Sequence, residues 1–174
     1  MADLTQIRLL VLDVDGIMTD GTIRLDNRGV ETKRFHVRDG LAIKLAQRHG
    51  IDVAILTARS SQAVALRMRE LGVELFIQGM KDKAAGFEML LEHTAIPREQ
   101  IAYMGDDLQD WPVMRQVGFK ITVADGSPEI RDAADLVTTR RGGQGAVREA
   151  VEHLLKAQGK WDKVLAGFGL GLRG

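Results

Sequence analysis

The chain contains no cysteine, which excludes disulfide bonds and thiolate metal sites. Neither sign of charge is in excess: Lys+Arg and Asp+Glu are both 24, which predicts no broad attraction to nucleic acid or to a membrane surface. Long apolar runs are also absent, and the longest ones fall far short of the ~20 residues that span a bilayer. The first residues, MADLTQIR, show no basic segment followed by an apolar stretch, which predicts no export signal. We therefore expect a cytoplasmic protein.

The chain has 174 residues, of which 45% are hydrophobic, and this is enough for one domain with a real core. Apolar runs alternate with amphipathic segments, which predicts an α/β fold with a Rossmann-like, doubly wound parallel sheet. The predicted strands are 8–12, 53–56, 75–77, 101–104, 120–123 and 136–137. The predicted helices lie near 41–49, 61–71, 83–93, 110–116, 128–133 and 146–158. We predict a single domain over residues 1–174.

One segment, at about 17–37, breaks the alternation. Its short runs TIRL and VETKRFHV flank Asp26-Asn27-Arg28-Gly29, where Asn and Gly favour a hairpin turn. We predict a small β-hairpin flap here. The remaining connections are short, so no large cap domain is expected.

The aspartates in Asp13-Val14-Asp15-Gly16 directly follow the apolar run at 9–12. A continuously apolar run predicts a buried parallel strand, and ligands bind at the carboxyl ends of such strands. Two carboxylates there repel each other unless a cation lies between them or their roles differ, and structural caps are disfavoured because buried unpaired charge is costly. The pattern indicates covalent phosphoryl transfer, in which Asp13 attacks phosphorus and Asp15 moves protons to and from the leaving oxygen.

Three further polar patterns also follow predicted strands. They are Thr57-Ala58-Arg59, Lys83 at a helix start, and the stretch GDDLQD at 105–110. Together they supply a hydroxyl, a fixed cation and a second acidic cluster, which a phosphoryl group in transfer needs. Taken singly, each has a simpler interpretation: a helix cap for Thr57, an exposed lysine for Lys83, and a helix N-terminal acidic cluster for Asp106, Asp107 and Asp110.

The four patterns, in this order, resemble those of the haloacid dehalogenase superfamily of phosphatases. The resemblance implies that Asp13 is the nucleophile and forms an aspartyl-phosphate. It implies that Asp15 is the general acid and base, that Thr57 donates a hydrogen bond to the phosphoryl oxygens, and that Lys83 neutralises the nucleophile and the intermediate.

The same resemblance implies a magnesium cofactor. The ion would bind the Asp13 carboxylate, the Asp15 backbone carbonyl and Asp106. Ligands that are all oxygen suit magnesium. Asp107 and Asp110 would lie behind these ligands, and Asp110 would orient the metal waters or Lys83.

The resemblance narrows to the 3-deoxy-D-manno-octulosonate 8-phosphate phosphatases and covers essentially the whole chain. It is carried by the small flap, FHVRDG at 35–40, TAR at 57–59, DWPVM at 110–114 and GGQGAVRE at 142–149. It implies a phosphorylated sugar acid of lipopolysaccharide biosynthesis as the substrate. The implied substrate contacts are His36, Val37, Arg38, Asp39, Gly40, Arg59, Arg67 and Lys83. From the sequence alone, Arg67 also suits a solvated helix face.

Two residues depart from that family's pattern. His36 replaces the asparagine that is common there, and Lys44 stands where an arginine is often found. A lysine is a weaker bidentate partner for a carboxylate than an arginine, so these departures bear on the preference for a sugar acid.

The resemblance implies a homotetramer in which the flap and the C-terminal tail of one subunit close a neighbour's site. The tail here, 167–174, is punctuated by glycine and is predicted to lack regular structure. Its Phe168, Leu170 and Leu172 offer apolar anchors for docking, while a disordered end is the alternative.

Other functions remain open at this point. The same chemistry on a nonulosonate 9-phosphate or a general sugar phosphate is one. A non-catalytic, oligomeric regulatory module with this fold is another. A phosphotransferase or a phosphonatase is disfavoured by Asp15.

Overall fold

The computed structural model describes residues 3–171. The strands are β1 (Leu9–Leu12), β2 (Arg24–Leu25), β3 (Glu31–Thr32), β4 (Asp52–Leu56), β5 (Leu75–Ile77), β6 (Ile101–Met104), β7 (Phe119–Thr122) and β8 (Leu136–Val137). The helices are α1 (Val37–Arg48), α2 (Gln62–Leu71), α3 (Lys83–Glu92), α4 (Trp111–Met114), α5 (Pro128–Ala133), α6 (Ala146–Ala157) and α7 (Trp161–Gly167). Six strands form one parallel sheet in the order β5-β4-β1-β6-β7-β8. The prediction of a doubly wound, Rossmann-like α/β fold is confirmed.

Strand β1 lies at the centre of the sheet and is buried at every position. Side chains alternate along a strand, so successive residues pack against opposite helix layers. Leu10 and Leu12 pack in a core with α1, α2 and α6, whereas Leu9 and Val11 pack in a second core with α3, α4 and α5. Because both faces are covered, β1 is apolar throughout rather than alternating. The carboxyl end of β1 therefore opens at the middle of the sheet edge.

Strands β2 and β3 form an antiparallel hairpin with Arg24 opposite Thr32. The Asp26 carboxylate closes the turn, since its Oδ1 accepts hydrogen bonds from the Arg28 and Val30 amides, both at 2.8 Å. This hairpin follows β1 directly, as the sequence predicts for the flap.

Two predicted helices differ in their bounds. Helix α1 begins at Val37, four residues before the predicted start, because His36 caps it: its Nδ1 accepts a hydrogen bond from the Arg38 amide at 3.3 Å. The predicted helix at 110–116 is a short 3₁₀ turn, Leu108–Asp110, followed by α4.

Helix α7 was not predicted from the sequence. It packs on the neighbouring α6, with Val164 buried and the Arg148 guanidinium 5.1 Å from the centre of the Trp161 ring. Gly167, the first residue of the predicted tail, is therefore the last residue of a helix. Phe168 and Leu170 follow it and are exposed, and Leu172 lies outside the described residues.

Across residues 3–171, no helix combines the length and the apolar character needed to cross a membrane.

Candidate active site

Two neighbouring parallel strands, β1 and β4, bring predicted catalytic residues to one edge of the sheet. Asp13 follows β1, and its amide continues the ladder by donating to the Met104 carbonyl at 3.0 Å. Thr57 follows β4 in the same way, with its amide donating to the Ile77 carbonyl at 3.0 Å. Asp13 and Thr57 are both buried. Since neighbouring parallel strands end at the same edge, both residues lie at that edge although 44 positions separate them along the chain.

Lys83, the first residue of α3, is the buried cation of the site. Its Nζ lies 2.8 Å from Asp13 Oδ2 and 2.5 Å from Asp110 Oδ1, and its side chain is 1% exposed. Burial by itself lowers the pKa of an ammonium group, but the charges of Asp13 and Asp110 outweigh burial here and raise the pKa of Lys83. Lys83 is thus a fixed positive charge beside Asp13 rather than an exposed lysine.

Asp110 is fully buried and holds the centre of the acidic cluster together. Its Oδ1 accepts hydrogen bonds from Lys83 Nζ and from Tyr103 Oη at 2.7 Å. Its Oδ2 accepts from the amides of Asp106 at 3.0 Å and Asp107 at 3.2 Å. With both oxygens engaged, Asp110 orients its neighbours. The acidic cluster is therefore more than a row of helix N-terminal charges.

Tyr103 is one neighbour of the site that sequence reasoning missed. It is the chain's one tyrosine and it lies, fully buried, in an otherwise apolar strand. A buried phenol hydroxyl requires a hydrogen-bond partner, and this was the available signal. The partner is Asp110. Burial raises the pKa of Tyr103 well above its usual range, and the charge of Asp110 acts in the same direction.

The carboxylates of Asp13 and Asp106 fit a divalent cation. Oxygens of Asp13, Asp106 and Asp110 lie within 4.8 Å of one another. Among the described residues, neither the buried Asp106 Oδ1 nor the buried Asp13 Oδ2 has a hydrogen-bond partner. Asp13 Oδ2 does form an ion pair with Lys83. Oxygen ligands of this kind are those that magnesium prefers.

In the absence of a cation, the surroundings of the same pair disfavour two ionised carboxylates. Burial raises the pKa of Asp13 to about 6, against the opposing effect of Lys83. Burial, followed by the charges of Asp110 and Asp13, raises the pKa of Asp106 to about 8. A cation bound between the two carboxylates would remove this repulsion.

Gly16 provides the space for Asp106. Its φ is +88°, a conformation that side-chain-bearing residues rarely adopt, and a Cβ atom at this position would lie 2.0 Å from Asp106 Oδ2. The glycine of the sequence Asp13-Val14-Asp15-Gly16 therefore lets the loop after β1 approach the loop after β6.

Asp15 faces the flap. Its Oδ1 forms an ion pair with Lys33, and its Oδ2 lies 3.5 Å from Arg59 Nε. Arg59 in turn donates to Glu31 Oε1 at 2.7 Å. Sequence reasoning placed Arg59 near the site but missed Lys33 and Glu31. These two residues are two positions apart, so on an extended segment they share a face, and this spacing was the available signal.

The predicted substrate-contacting stretch begins with His36, the N-cap of α1. Val37 is 81% exposed and Arg38 is also exposed. Among the described residues, no hydrogen bond or ion pair joins this stretch to Asp13 or Asp106 of the same chain.

Asp39 is buried and serves a different helix. Its carboxylate accepts hydrogen bonds from the amides of Gly145 at 3.3 Å and Arg148 at 2.8 Å, at the N-terminus of α6. Gly145 has no side chain with which to cap α6, so Asp39 supplies the cap from α1. Burial raises the pKa of Asp39, with these two amides acting in the opposite direction.

Gly40 and Arg67 contact each other at the packing of α1 and α2. A Cβ atom at Gly40 would lie 2.2 Å from Arg67 Nη2, so the guanidinium lies directly on the glycine. Arg67 Nη1 also donates to Glu70 at 2.7 Å. The described partners of Arg67 are thus on the helices rather than in the aspartate cluster.

Comparison with known proteins gives relatives over nearly the whole chain. Residues 76–150 match the family of haloacid dehalogenase-like hydrolases. A 3-deoxy-D-manno-octulosonate 8-phosphate phosphatase of Escherichia coli K12 is 48% identical over 163 residues, which cover 94% of this chain and 87% of the relative.

Solved structures agree with these sequence relatives. The phosphatase of that name from Yersinia pestis is 46% identical with a TM-score of 0.88, over 91% of this chain and 85% of the other. The one from Moraxella catarrhalis, in complex with a magnesium ion, a phosphate ion and a KDO molecule, is 43% identical with a TM-score of 0.92, over 95% of both chains.

The parallel sheet, with its acidic cluster at the carboxyl edge, and the matching family model define a haloacid dehalogenase-like hydrolase. Within that class, the chain belongs to the family of 3-deoxy-D-manno-octulosonate 8-phosphate phosphatases. The resemblance inferred from the sequence is confirmed.

Proposed function

We propose that this protein is a magnesium-dependent phosphomonoesterase that hydrolyses 3-deoxy-D-manno-octulosonate 8-phosphate to the free sugar acid and phosphate. One observation carries the proposal: Asp13 lies 2.8 Å from the buried Lys83 and shares a cluster of carboxylate oxygens with Asp106. A carboxylate nucleophile, a fixed cation and a site for a divalent ion are the parts that phosphoryl transfer from a monoester requires. The names of the relatives support this substrate.

The reaction proposed for these residues has two steps. An oxygen of Asp13 attacks phosphorus, the bond from phosphorus to the sugar oxygen breaks, and Asp15 gives a proton to the leaving alcohol. Asp15 then takes a proton from the water that hydrolyses the aspartyl-phosphate. Lys83 offsets the charge on Asp13 and on the intermediate, while Thr57 donates a hydrogen bond to the phosphoryl oxygens.

Asp13 and Asp106 would hold the magnesium ion, together with the backbone carbonyl of Asp15. When bound, the ion neutralises charge on the phosphoryl oxygens during transfer. Asp110 acts behind them, since it fixes Lys83 and the amides of Asp106 and Asp107.

The sugar-acid contacts are proposed for His36, Val37, Arg38, Asp39, Gly40, Arg59, Arg67 and Lys83. The buried position of Asp39 supports a role in shaping this stretch, whereas the exposure of Val37 and Arg38 supports contact with ligand or with a neighbouring subunit. His36 and Lys44 are the positions at which we expect this chain to differ from its relatives in substrate preference.

We further propose a homotetramer in which the flap and the tail at 167–174 close a neighbour's site. Support comes from the exposed apolar residues of the flap, Ile23, Leu25 and Val30, each more than half exposed, and from exposed Phe168 and Leu170 after α7. Sedimentation velocity tests this assembly, and a monomer at micromolar concentration would contradict it.

The remaining proposals concern context. We propose a single domain over residues 1–174, supported by the one six-stranded sheet, and a cytoplasmic location and a place in lipopolysaccharide biosynthesis, supported by the substrate named for the relatives.

The experiment that tests the function is phosphate release from a panel of phosphomonoesters, with magnesium and with chelator. The panel holds 3-deoxy-D-manno-octulosonate 8-phosphate, a nonulosonate 9-phosphate, hexose phosphates and nucleotides. We expect magnesium-dependent hydrolysis with a strong preference for the octulosonate. Broad, weak hydrolysis would contradict the substrate, and no hydrolysis of any ester would favour a non-catalytic module.

A further inference from the structure

The inner face of the flap carries two charged residues, Glu31 and Lys33. Since side chains alternate along an extended segment, residues two apart share a face, and Thr32 and Arg34 between and beyond them are exposed. The Lys33 side chain is only 3% exposed and that of Glu31 is 17% exposed. A hairpin of two short strands gains little stability by itself, so burial of a lysine from it requires a compensating partner.

That partner is Asp15. Lys33 Nζ forms an ion pair with Asp15 Oδ1 and lies 3.6 Å from Glu31 Oε1. The other carboxylate oxygen, Asp15 Oδ2, lies 3.5 Å from Arg59 Nε, and Arg59 Nη2 lies 2.7 Å from the same Glu31 oxygen. Acidic and basic groups therefore alternate around a closed ring of four residues, Asp15–Lys33–Glu31–Arg59.

This ring connects three parts of the chain: the loop after β1, the flap and the loop after β4. Each carboxylate oxygen of Asp15 has its own cationic partner in this ring, Lys33 for Oδ1 and Arg59 for Oδ2, and this restricts the orientation of the side chain. Proton transfer requires the acid within hydrogen-bond distance of the leaving oxygen, and small displacements of a catalytic group cost large factors in rate. None of the four residues is among those that bind Asp110 or Lys83.

We propose that Lys33 is a positioning residue for Asp15: from the flap, it holds the Asp15 carboxyl group in the orientation for proton transfer, while Glu31 holds Arg59 on the other oxygen. Asp15 gains its proton from the water that hydrolyses the aspartyl-phosphate and gives it to the leaving alcohol of the next turnover. The inference rests on the proposed role of Asp15 as general acid and base. In the step concerned, the bond from phosphorus to the alcohol oxygen breaks as the bond from phosphorus to Asp13 forms, and the Asp15 proton passes to that alcohol oxygen.

A comparison of two leaving groups tests this role with the full-length protein and magnesium. A sugar alcohol leaves only with a proton, whereas nitrophenolate leaves as a stable anion and needs none. Wild type, Lys33→Met and Lys33→Arg are assayed for kcat/KM on 3-deoxy-D-manno-octulosonate 8-phosphate and on p-nitrophenyl phosphate. Lys120→Met is the matched control, because Lys120 also forms an ion pair, with Asp135 at 2.7 Å, but on edge-side strand β7.

We expect Lys33→Met to lower kcat/KM for the sugar phosphate by about tenfold or more, and for the aryl ester by a much smaller factor. Lys33→Arg keeps the positive charge and should recover part of the lost activity, and Lys120→Met should match wild type on both esters. A general loss of stability would lower both values alike. A loss of sugar-acid contacts would raise KM for the sugar phosphate, whereas a displaced acid lowers its kcat, so the two parameters separate these causes.

Two results would overturn the assignment: unchanged kinetics in Lys33→Met, or an equal loss on the two esters. If Lys33→Met does not fold, the same comparison is made with Glu31→Gln, which releases Arg59 and should show a smaller loss with the same selectivity. A wild type that hydrolyses neither ester would instead refute the proposed function itself, so the two failures are distinct.

Discussion

Asp110 offers a sharp test of how the site is held together, through the substitution Asp110→Asn. The change keeps the shape of the side chain but removes its charge and converts one oxygen into an NH₂ group. That group would face either the donors Lys83 and Tyr103 or the amide donors of Asp106 and Asp107. Either orientation sets donor against donor in a fully buried position.

The magnitude follows from what remains around Lys83. Removing one partner of a buried ion pair costs about 3–5 kcal/mol. Lys83 keeps Asp13 at 2.8 Å, and the loss of Asp110 also relieves repulsion between carboxylates, so we expect the lower end. A decrease of about 3 kcal/mol in the free energy of unfolding corresponds, in a protein of this size, to a Tm lower by about 6–12 °C.

The assay is urea unfolding followed by circular dichroism, with a thermal melt in parallel. Chelator is present so that a bound cation adds nothing to stability, and the protein concentration is held constant. The control is Asp132→Asn, the same chemical change at an exposed position on α5, which should stay within about 0.5 kcal/mol of wild type.

The reasoning would be refuted if Asp110→Asn unfolded at the same urea concentration as Asp132→Asn. A variant more stable than wild type would also refute it, because repulsion among the carboxylates would then outweigh the bonds that Asp110 accepts.

Three further predictions concern the nucleophile, the glycine of the first loop and the cap of α6. Asp13→Asn should abolish turnover while the circular dichroism spectrum stays native; retained phosphate release would contradict the nucleophile assignment. Gly16→Ala should raise the magnesium concentration needed for half-maximal activity about tenfold or more, because its Cβ would lie 2.0 Å from Asp106 Oδ2. Gly29→Ala, at φ +77° with no atom within 4 Å, controls for the backbone strain alone. Asp39→Ala should lower the free energy of unfolding by about 1–2 kcal/mol through loss of the α6 cap, and an unchanged urea midpoint would argue against that cap.

Much of the fold and the core of the site follow from local sequence patterns. The apolar run before Asp13 marks the central strand, and the strand-sized runs before Thr57 and Asp106 mark its neighbours. In a parallel sheet, the residues after each strand reach the same edge, so these patterns together predict the aspartate cluster. Asn27 and Gly29 similarly predict the hairpin, because its turn depends on a few adjacent residues.

Contacts that depend on packing, with no local sequence pattern behind them, were decided by the tertiary structure. The pairing of Tyr103 with Asp110 depends on the depth of β6 in the core, and helix α7 depends on its packing against α6. The contact of Arg67 with Gly40 likewise depends on how α1 and α2 pack, because that packing sets the direction of a long side chain.

The sequence by itself thus determined the order of chemical groups along the chain, each after a strand: nucleophile, hydroxyl, lysine and second acidic cluster. Only the tertiary structure decided which charges meet. Lys33 reaches Asp15 across 18 positions because the flap folds back over the loop after β1, and Asp39 reaches the amide of Arg148 across 109 positions because α1 packs against α6. Periodicity and turn residues are local signals, whereas these distances depend on how the sheet, its helices and the flap pack together.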